Sequence, residues 1–392
     1  MASLRLLLGG DLMLGRGIDQ CMAQHCEPRL HESVIHDARH YVLLAERCSG
    51  VIPRPVDPAY PWGIALERIE AIAPDLRIVN LETAITTADQ PWPDKGVHYR
   101  MHPRNAAVLQ AARLDACCLA NNHVLDWGPR GLSDTLQVLQ RCGIQGAGAG
   151  LNLHQAQQPA RLHFGDGGRL LLFAWAFTSS GVPESWGARL DQCGVALLHR
   201  IDESTARWLV ARIRHHRQPS DRVVVSLHWG PNWVAEIPQA HRWLAHRLID
   251  EAAVDVVMGH SSHHPLPPEI HANRLILHGC GDLINDYEGI PLSDGWRSDL
   301  VCLYAADLEA ETGALQRLTV HPFVLRRFQL QEPTAADRHA LARLLGLDAA
   351  PADWHWCTQQ NTWQLVHDAP GHGTRAQHGA VASMHLGLQK TP

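Results

Sequence analysis

Six short stretches place carboxylates, amides and imidazoles directly after apolar runs: GGD at 9–11, NLE at 80–82, ANNH at 120–123, LHWG at 227–230, GHSSHH at 259–264 and HGCGD at 278–282. The groups they offer include Asp11, Asn80, Glu82, Asn122, His123, His228, His260, His263, His264 and Asp282. Carboxylate, amide oxygen and imidazole together suit divalent manganese, iron or zinc, whereas calcium prefers oxygen alone. Two carboxylates and three or four histidines suffice for one ion with open positions and nearly suffice for two. A pair of ions ~3.5–4 Å apart activates a water and stabilises charge on both attacking and leaving oxygens. Singly, each residue has an ordinary use. Asp11 after Gly-Gly caps a turn, Glu82 ends a solvated strand, His228 fits a hydrogen-bonded core, and Asn121-Asn122 forms a turn. Six metal-compatible strand ends in one chain are more than turns and caps call for.

Elements must bring these ends together. Apolar runs suited to buried strands fall at 4–8, 76–81, 116–119, 170–177, 223–227, 254–258, 275–278 and 300–304. Helix-like periodicity separates several of them, at 62–73, 105–112, 131–141, 204–216 and 239–253. Alternation of strands and helices predicts a layered α/β fold with much parallel pairing, one central sheet or two stacked sheets covered by helices, and a more strand-rich last third. In such sheets ligands gather beyond the carboxyl ends of the strands, where the six polar groups lie. The four prolines of VIPRPVDPAYPW, 51–62, predict an irregular excursion on the substrate side. The glycines at 146–150 make a weak phosphate loop without its lysine, and a turn explains them as well. The main unit is expected to end near 325. An extension over 326–365 carries a capped helix from Thr334, and a tail over 366–392 without apolar periodicity is expected to be disordered.

Composition narrows the partners. A formal charge of −6 with both signs interspersed offers no electrostatic reason to bind nucleic acid or an anionic membrane. An anionic substrate, small molecule or peptide, then needs local cations from metal or from placed arginines. Ten cysteines without a CxxC pair suggest a reduced, cytoplasmic protein. No run reaches the ~18 apolar residues of a membrane span. Oligomeric state is not legible in these residues.

The stretches GDLMLGR at 10–16, PDLRIVNLETAIT at 74–86, KGVHYRMHP at 95–103, LANNHVLDWG at 119–128, LHWGPNW at 227–233 and VMGHSSHHPLPPEI at 257–270 resemble CapA-type capsule-synthesis proteins. HGCGDLIND at 278–286 matches a stretch that in most members is similar to SLGNFIFD. This poly-gamma-glutamate synthesis family lies in the calcineurin-like metallophosphoesterase superfamily, and the likeness covers roughly 4–325. It implies a four-layer α/β/β/α sandwich with the site at one edge. It also implies Asp11, Glu82, Asn122, His228, His260 and His263 as metal ligands, with Glu82 bridging, and His123 as the catalytic imidazole. Two departures from the wider phosphoesterase pattern stand out: Met13 replaces the first histidine ligand, and Glu82 replaces an aspartate.

The expected function is a metal-dependent, phosphoesterase-like hydrolase linked to polyglutamate or capsule synthesis. Water on the metal attacks, and His123, oriented by Asp126 three residues on, donates a proton or steadies charge. Arg16 and Arg100 are candidate substrate contacts through bidentate guanidinium. The same metal chemistry also suits a gamma-glutamyl or amide hydrolase, and a non-catalytic accessory protein is the third reading.

Overall fold

A computed structural model describes residues 3–292, 295–347 and 354–366, so the proposed tail beyond Val366 lies outside the described residues. Two sheets face each other. The first is ten-stranded and is built around β1 (Ser3–Leu12), β2 (Leu76–Leu81), β3 (Ala116–Cys118) and β4 (Gln145–Ala147), which run parallel in that order. The second is seven-stranded, with β5 (Gly168–Phe177), β6 (Arg222–His228), β7 (Val256–His260) and β8 (Arg274–Leu277) also parallel. Parallel pairing puts the carboxyl ends of β1, β2 and β3 at one edge, as the alternating pattern predicts.

The alternation of side chains in the second sheet shows how the layers stack. Leu170, Leu172, Val224, Val256 and Met258 join the core shared with the first sheet. Their neighbours Leu171, Phe173, Val223, Val225 and Val257 face away, into a separate core with helices Glu203–His216 and Gln239–Ala252. Successive residues of a strand point to opposite faces, so a run apolar at every position marks a sheet covered on both sides. On its outer side the first sheet packs against Ile69 of helix Ala65–Ile72 and Leu132 and Leu139 of helix Gly128–Cys142. The order is helix, sheet, sheet, helix, the four layers expected.

After β9 (Asp282–Ile284), which pairs in parallel with the end of β1, the chain turns antiparallel. β10 (Leu300–Glu309) pairs with β1, and β11 (Leu315–Arg326) pairs with β10. The extension contributes helix Ala335–Leu344, closed at its start by a Thr334–Asp337 capping box, and a hairpin of β12 (Trp354–Cys357) and β13 (Thr362–Val366). Leu318 of β11 pairs with Leu365, so the hairpin continues the first sheet.

The glycine run at 146–150 serves packing. Gly148 has φ +91°, and a Cβ there would lie 2.7 Å from that of Ala120 and 2.8 Å from that of Ala174, on the opposing sheet. The 51–62 segment is irregular, as its prolines predict, and is anchored where the Tyr60 hydroxyl donates to the Arg327 carbonyl at 3.0 Å. All ten cysteines are free. No helix among the described residues is long and apolar enough to cross a membrane.

Candidate metal centre

Register brings the donors together. Asp11 on β1 lies beside Asn80 on β2 and Asp282 on β9, while His228 and His260 sit opposite each other at the ends of β6 and β7. Gly10 permits this approach, because a Cβ at that position would fall 1.7 Å from the Gly281 carbonyl oxygen. The Asn80 amide donates to Asp11 Oδ1 at 2.8 Å and to Glu82 Oε2 at 3.0 Å, clamping two carboxylates. His260 Nδ1 is 2.8 Å from Asp11 Oδ1, and His263 Nδ1 is 2.8 Å from Asp282 Oδ1. His228 Nδ1 faces Glu82 Oε2 at 4.0 Å.

Two groups result. Donor atoms of Asp11, Glu82 and His228 all lie within 4.8 Å of one another, as do those of Asp11, His263 and Asp282. Asp11, Glu82 and Asp282 are completely buried. Three carboxylates out of water demand compensating positive charge or protons. Burial and the charges of Asp11 and Asp282 push Glu82 well above the usual carboxylate range. Asp282 is pushed up to about 6 by burial, with Asp11 adding to this and His263 opposing it. Burial acts the same way on Asp11, but the hydrogen bond from His260 and the charges of His260, His228 and His263 outweigh it and hold Asp11 low. His228 is driven down to about 3, chiefly by burial, and is thus neutral at physiological pH. Glu82 Oε1, His228 Nδ1 and His260 Nε2 are buried without a hydrogen-bond partner. An uncompensated carboxylate cluster edged by unpartnered imidazole nitrogens fits a divalent transition metal.

The Asn122 amide stands beside the histidine at the end of β6. Its amide oxygen lies 3.2 Å from His228 Nε2. Asn121 makes the turn: its side-chain oxygen accepts from the backbone N–H of His123 and Val124.

That turn aims His123 into the site, with Nε2 3.9 Å from Glu82 Oε1. Behind it, Nδ1 is 2.7 Å from Asp126 Oδ2, the orienting contact expected from the three-residue spacing. Asp126 is fully buried, also accepts from the Tyr99 backbone N–H at 2.6 Å, and pairs through Oδ1 with Lys95 Nζ at 2.7 Å. Lys95 Nζ is also 3.1 Å from His123 Nδ1. The shorter contact to Asp126 assigns the Nδ1 proton to that carboxylate, leaving Nε2 with its lone pair. Burial and the Lys95 charge lower His123 to about 4 against the pull of Asp126. Asp126 itself is raised by burial, but Lys95 and His123 overcome this and keep it ionised.

The two arginines expected at the substrate have other partners. Arg16 is buried between the rings of Tyr41 and Tyr99, its guanidinium bridging Asp286 and Glu32. Arg100 lies 3.8 Å over the Trp127 ring and donates to the carbonyls of Ala88 and Glu27. Both are internal cations rather than contacts offered to a ligand. His264 is a neighbour of the centre, with ring nitrogens at the carbonyls of Val234 and Pro265.

Lys95 was not picked out by sequence reasoning, and Asn80 and Asp282 were noted as strand-end groups without an assigned role. Asp282 was visible as a strand end, yet its pairing with Asp11 depends on β9 adding to β1. Lys95 carried no local signal, because its partner dyad lies far along the chain. The sulfur of Met13 is buried and accepts from the Tyr287 hydroxyl at 3.5 Å.

The fold and this centre define an α/β/β/α protein with a buried carboxylate–histidine cluster that could hold a metal ion. Residues 5–287 match the family described as "Bacterial capsule synthesis protein PGA_cap". The chain belongs to that family. It is 45% identical over 334 residues to a protein of Mycobacterium tuberculosis named "Probable polyglutamine synthesis accessory protein", covering 85% of this chain and 87% of that one. It is 24% identical to the "PGA biosynthesis protein CapA" of Bacillus subtilis over 49% of this chain and 48% of the relative. Among solved structures, it aligns with a "novel phosphatase" of Mycoplasma pneumoniae at a TM-score of 0.46 and 13% identity, over 85% and 96% of the two chains. The calcineurin-like phosphoesterase YfkN of Bacillus subtilis aligns at 0.41 and 11%, over 88% and 97%. These two structural scores are too low to bear on the chemistry.

Proposed function

We propose that this chain is a metal-dependent hydrolase, phosphoesterase-like in chemistry, acting on an anionic small molecule or peptide in the service of polyglutamate or capsule synthesis. One observation carries the reading: the His123–Asp126 dyad turns a free Nε2 toward the same buried carboxylates that require a cation. A purely structural metal has no use for an imidazole oriented in this way. Divalent manganese, iron or zinc would be held by Asp11, Glu82, Asn122, His228, His260 and His263, and would supply an activated water and a Lewis acid. Asp126 holds the His123 ring in place. A proton taken up at Nε2 is countered by Asp126 through Nδ1–H and is passed to the leaving oxygen. Amide or gamma-glutamyl substrates use the same groups. Ten free cysteines suit a reducing, cytoplasmic setting.

The name of the mycobacterial relative, an accessory protein, favours a second reading in which the chain assists synthesis without turnover of its own. Metal analysis of the purified protein, followed by assay of p-nitrophenyl phosphate, bis-p-nitrophenyl phosphate and gamma-glutamyl-p-nitroanilide with added manganese, separates the two. Turnover that disappears on chelation and in Asp11→Ala supports the hydrolase. Bound metal with no turnover on any of the three supports the accessory role.

A further inference from the structure

Far from the strand ends that hold the buried carboxylates, the outer face of the first sheet carries polar residues in register. Arg5 on β1 pairs with Asp307 on β10, which pairs with Arg317 on β11. In the next row Ala305 pairs with Thr319, and Thr319 with Gln364 of β13. Successive residues alternate between faces, so Arg317, Thr319 and His321 share the side opposite Leu318 and Val320, which belong to the core. These rows floor a cavity of about 330 Å³, walled by Arg68 and Ile72 of helix Ala65–Ile72 and by Gln359 and Gln360 in the turn between β12 and β13. Small-molecule sites run from about 300 to 1,000 Å³. Arg5 and Asp11 stand at opposite ends of β1, so at ~3.3 Å per residue the cavity lies about 20 Å from the carboxylate–histidine cluster.

The lining is cationic and incompletely partnered. Arg5 Nε lies 2.5 Å from Asp307 Oδ1, and Arg68 pairs with Glu332. Arg317 has no hydrogen-bond or ion-pair partner among the described residues. Asp307 is the single carboxylate in the lining, and Arg5 engages both of its oxygens. His321 is only 7% exposed, yet neither of its ring nitrogens has a hydrogen-bond partner. Burial and the Arg68 charge drive it down to about 3, so the ring is neutral, with one N–H to give and one lone pair to fill. Buried polar groups left in this state are destabilising until something completes them.

We infer that this cavity binds a small organic anion, with its carboxylate or phosphate against Arg317 and its hydroxyl or carbonyl groups held by Thr319, His321 and Gln364. An amino acid is disfavoured, because its ammonium would meet no free carboxylate there. The hairpin supplies one wall and the main unit the others, so the occupant ties the C-terminal extension to the first sheet and stabilises the assembled form by mass action. The site is separate from the metal centre and does not depend on the hydrolase reading.

Calorimetric titration of the full chain with succinate, glucose 6-phosphate and inorganic phosphate tests the site. Succinate or glucose 6-phosphate should bind once per chain, and the tighter of the two tells whether carboxylate or phosphate is preferred. Arg317→Gln, at an exposed position, should weaken that binding about 10–100-fold, the effect of losing a hydrogen bond to a charged group. Asp11→Asn should leave it unchanged, with His260→Ala as the control if that variant does not fold. Hydrogen exchange gives a second readout: saturation should slow the amides of Thr362–Val366 in wild type and not in Arg317→Gln. Undiminished binding in Arg317→Gln overturns the inference, as does binding that disappears in a folded Asp11→Asn or His260→Ala protein, because the anion then sits at the metal centre. Inorganic phosphate binding as tightly as both organic probes overturns it too, since the patch then selects charge alone. So does the absence of binding by all three at millimolar concentration.

Discussion

Lys95→Met removes the ammonium behind His123 while keeping most of the aliphatic stem. In the native protein Lys95 Nζ lies 2.7 Å from Asp126 Oδ1, and the two side chains are 13% and 0% exposed. After substitution Asp126 keeps the Tyr99 N–H and the His123 Nδ1–H. Breaking a buried ion pair from one side costs about 3–5 kcal/mol, and the two surviving hydrogen bonds place this case at the low end, about 3 kcal/mol. Loss of ring orientation should lower turnover about 10–100-fold, the usual penalty for removing a group that fixes a functional imidazole.

The pH dependence has a definite sign. His123 titrates near 4 in the folded protein, against about 6.5 when unfolded. The unfolded chain therefore takes up this proton first, and wild-type stability falls as pH drops through that window. Without Lys95 the imidazole titrates higher, the window shrinks, and the variant's deficit narrows as pH falls from about 7 to about 5. Urea denaturation at a series of pH values measures the deficit, and turnover of bis-p-nitrophenyl phosphate measures orientation. A deficit under about 1 kcal/mol near pH 7 that does not narrow with acid would refute the reasoning, since about 3 is expected.

Three further outcomes are expected. His123→Ala should lower kcat by about 10²–10⁴ while leaving bound metal unchanged, checked by turnover beside elemental analysis; equal loss of metal would show a ligand instead. Arg16→Met should cost about 3–5 kcal/mol in urea denaturation, because Asp286 and Glu32 lose their cation inside the protein, and it should leave metal stoichiometry as it was. Gly10→Ala should prevent β1 from seating against the Gly281 carbonyl, so soluble yield and metal uptake fall together; a wild-type melting temperature would contradict the 1.7 Å approach.

Much of the fold was legible because burial on both faces leaves continuous apolar runs. The strands Leu76–Leu81, Gly168–Phe177 and Arg222–His228 lie within two residues of the sequence expectation at each end, and Thr334 caps its helix. β1 extends past its apolar run to Leu12 because Gly9 remains paired with β10 and Asp11 with β9 and β2, partners that periodicity does not register. Arg16 and Arg100 were misleading for a similar reason. A guanidinium in a conspicuous motif suggests an anion, and only the fold reveals Asp286, Glu32 and Trp127 around it.

Local sequence therefore determined the layered α/β class, the kinds of donor at each strand end and the His123–Asp126 dyad, all of which depend on near neighbours or on hydrophobic period. The tertiary structure decided which of these donors come together. Strand order and register put Asp282 beside Asp11, set the Asn122 amide against His228 and brought Lys95 against the dyad. Those choices follow from which strands pair and how closely Gly10 lets them approach, and these are properties of the folded chain as a whole.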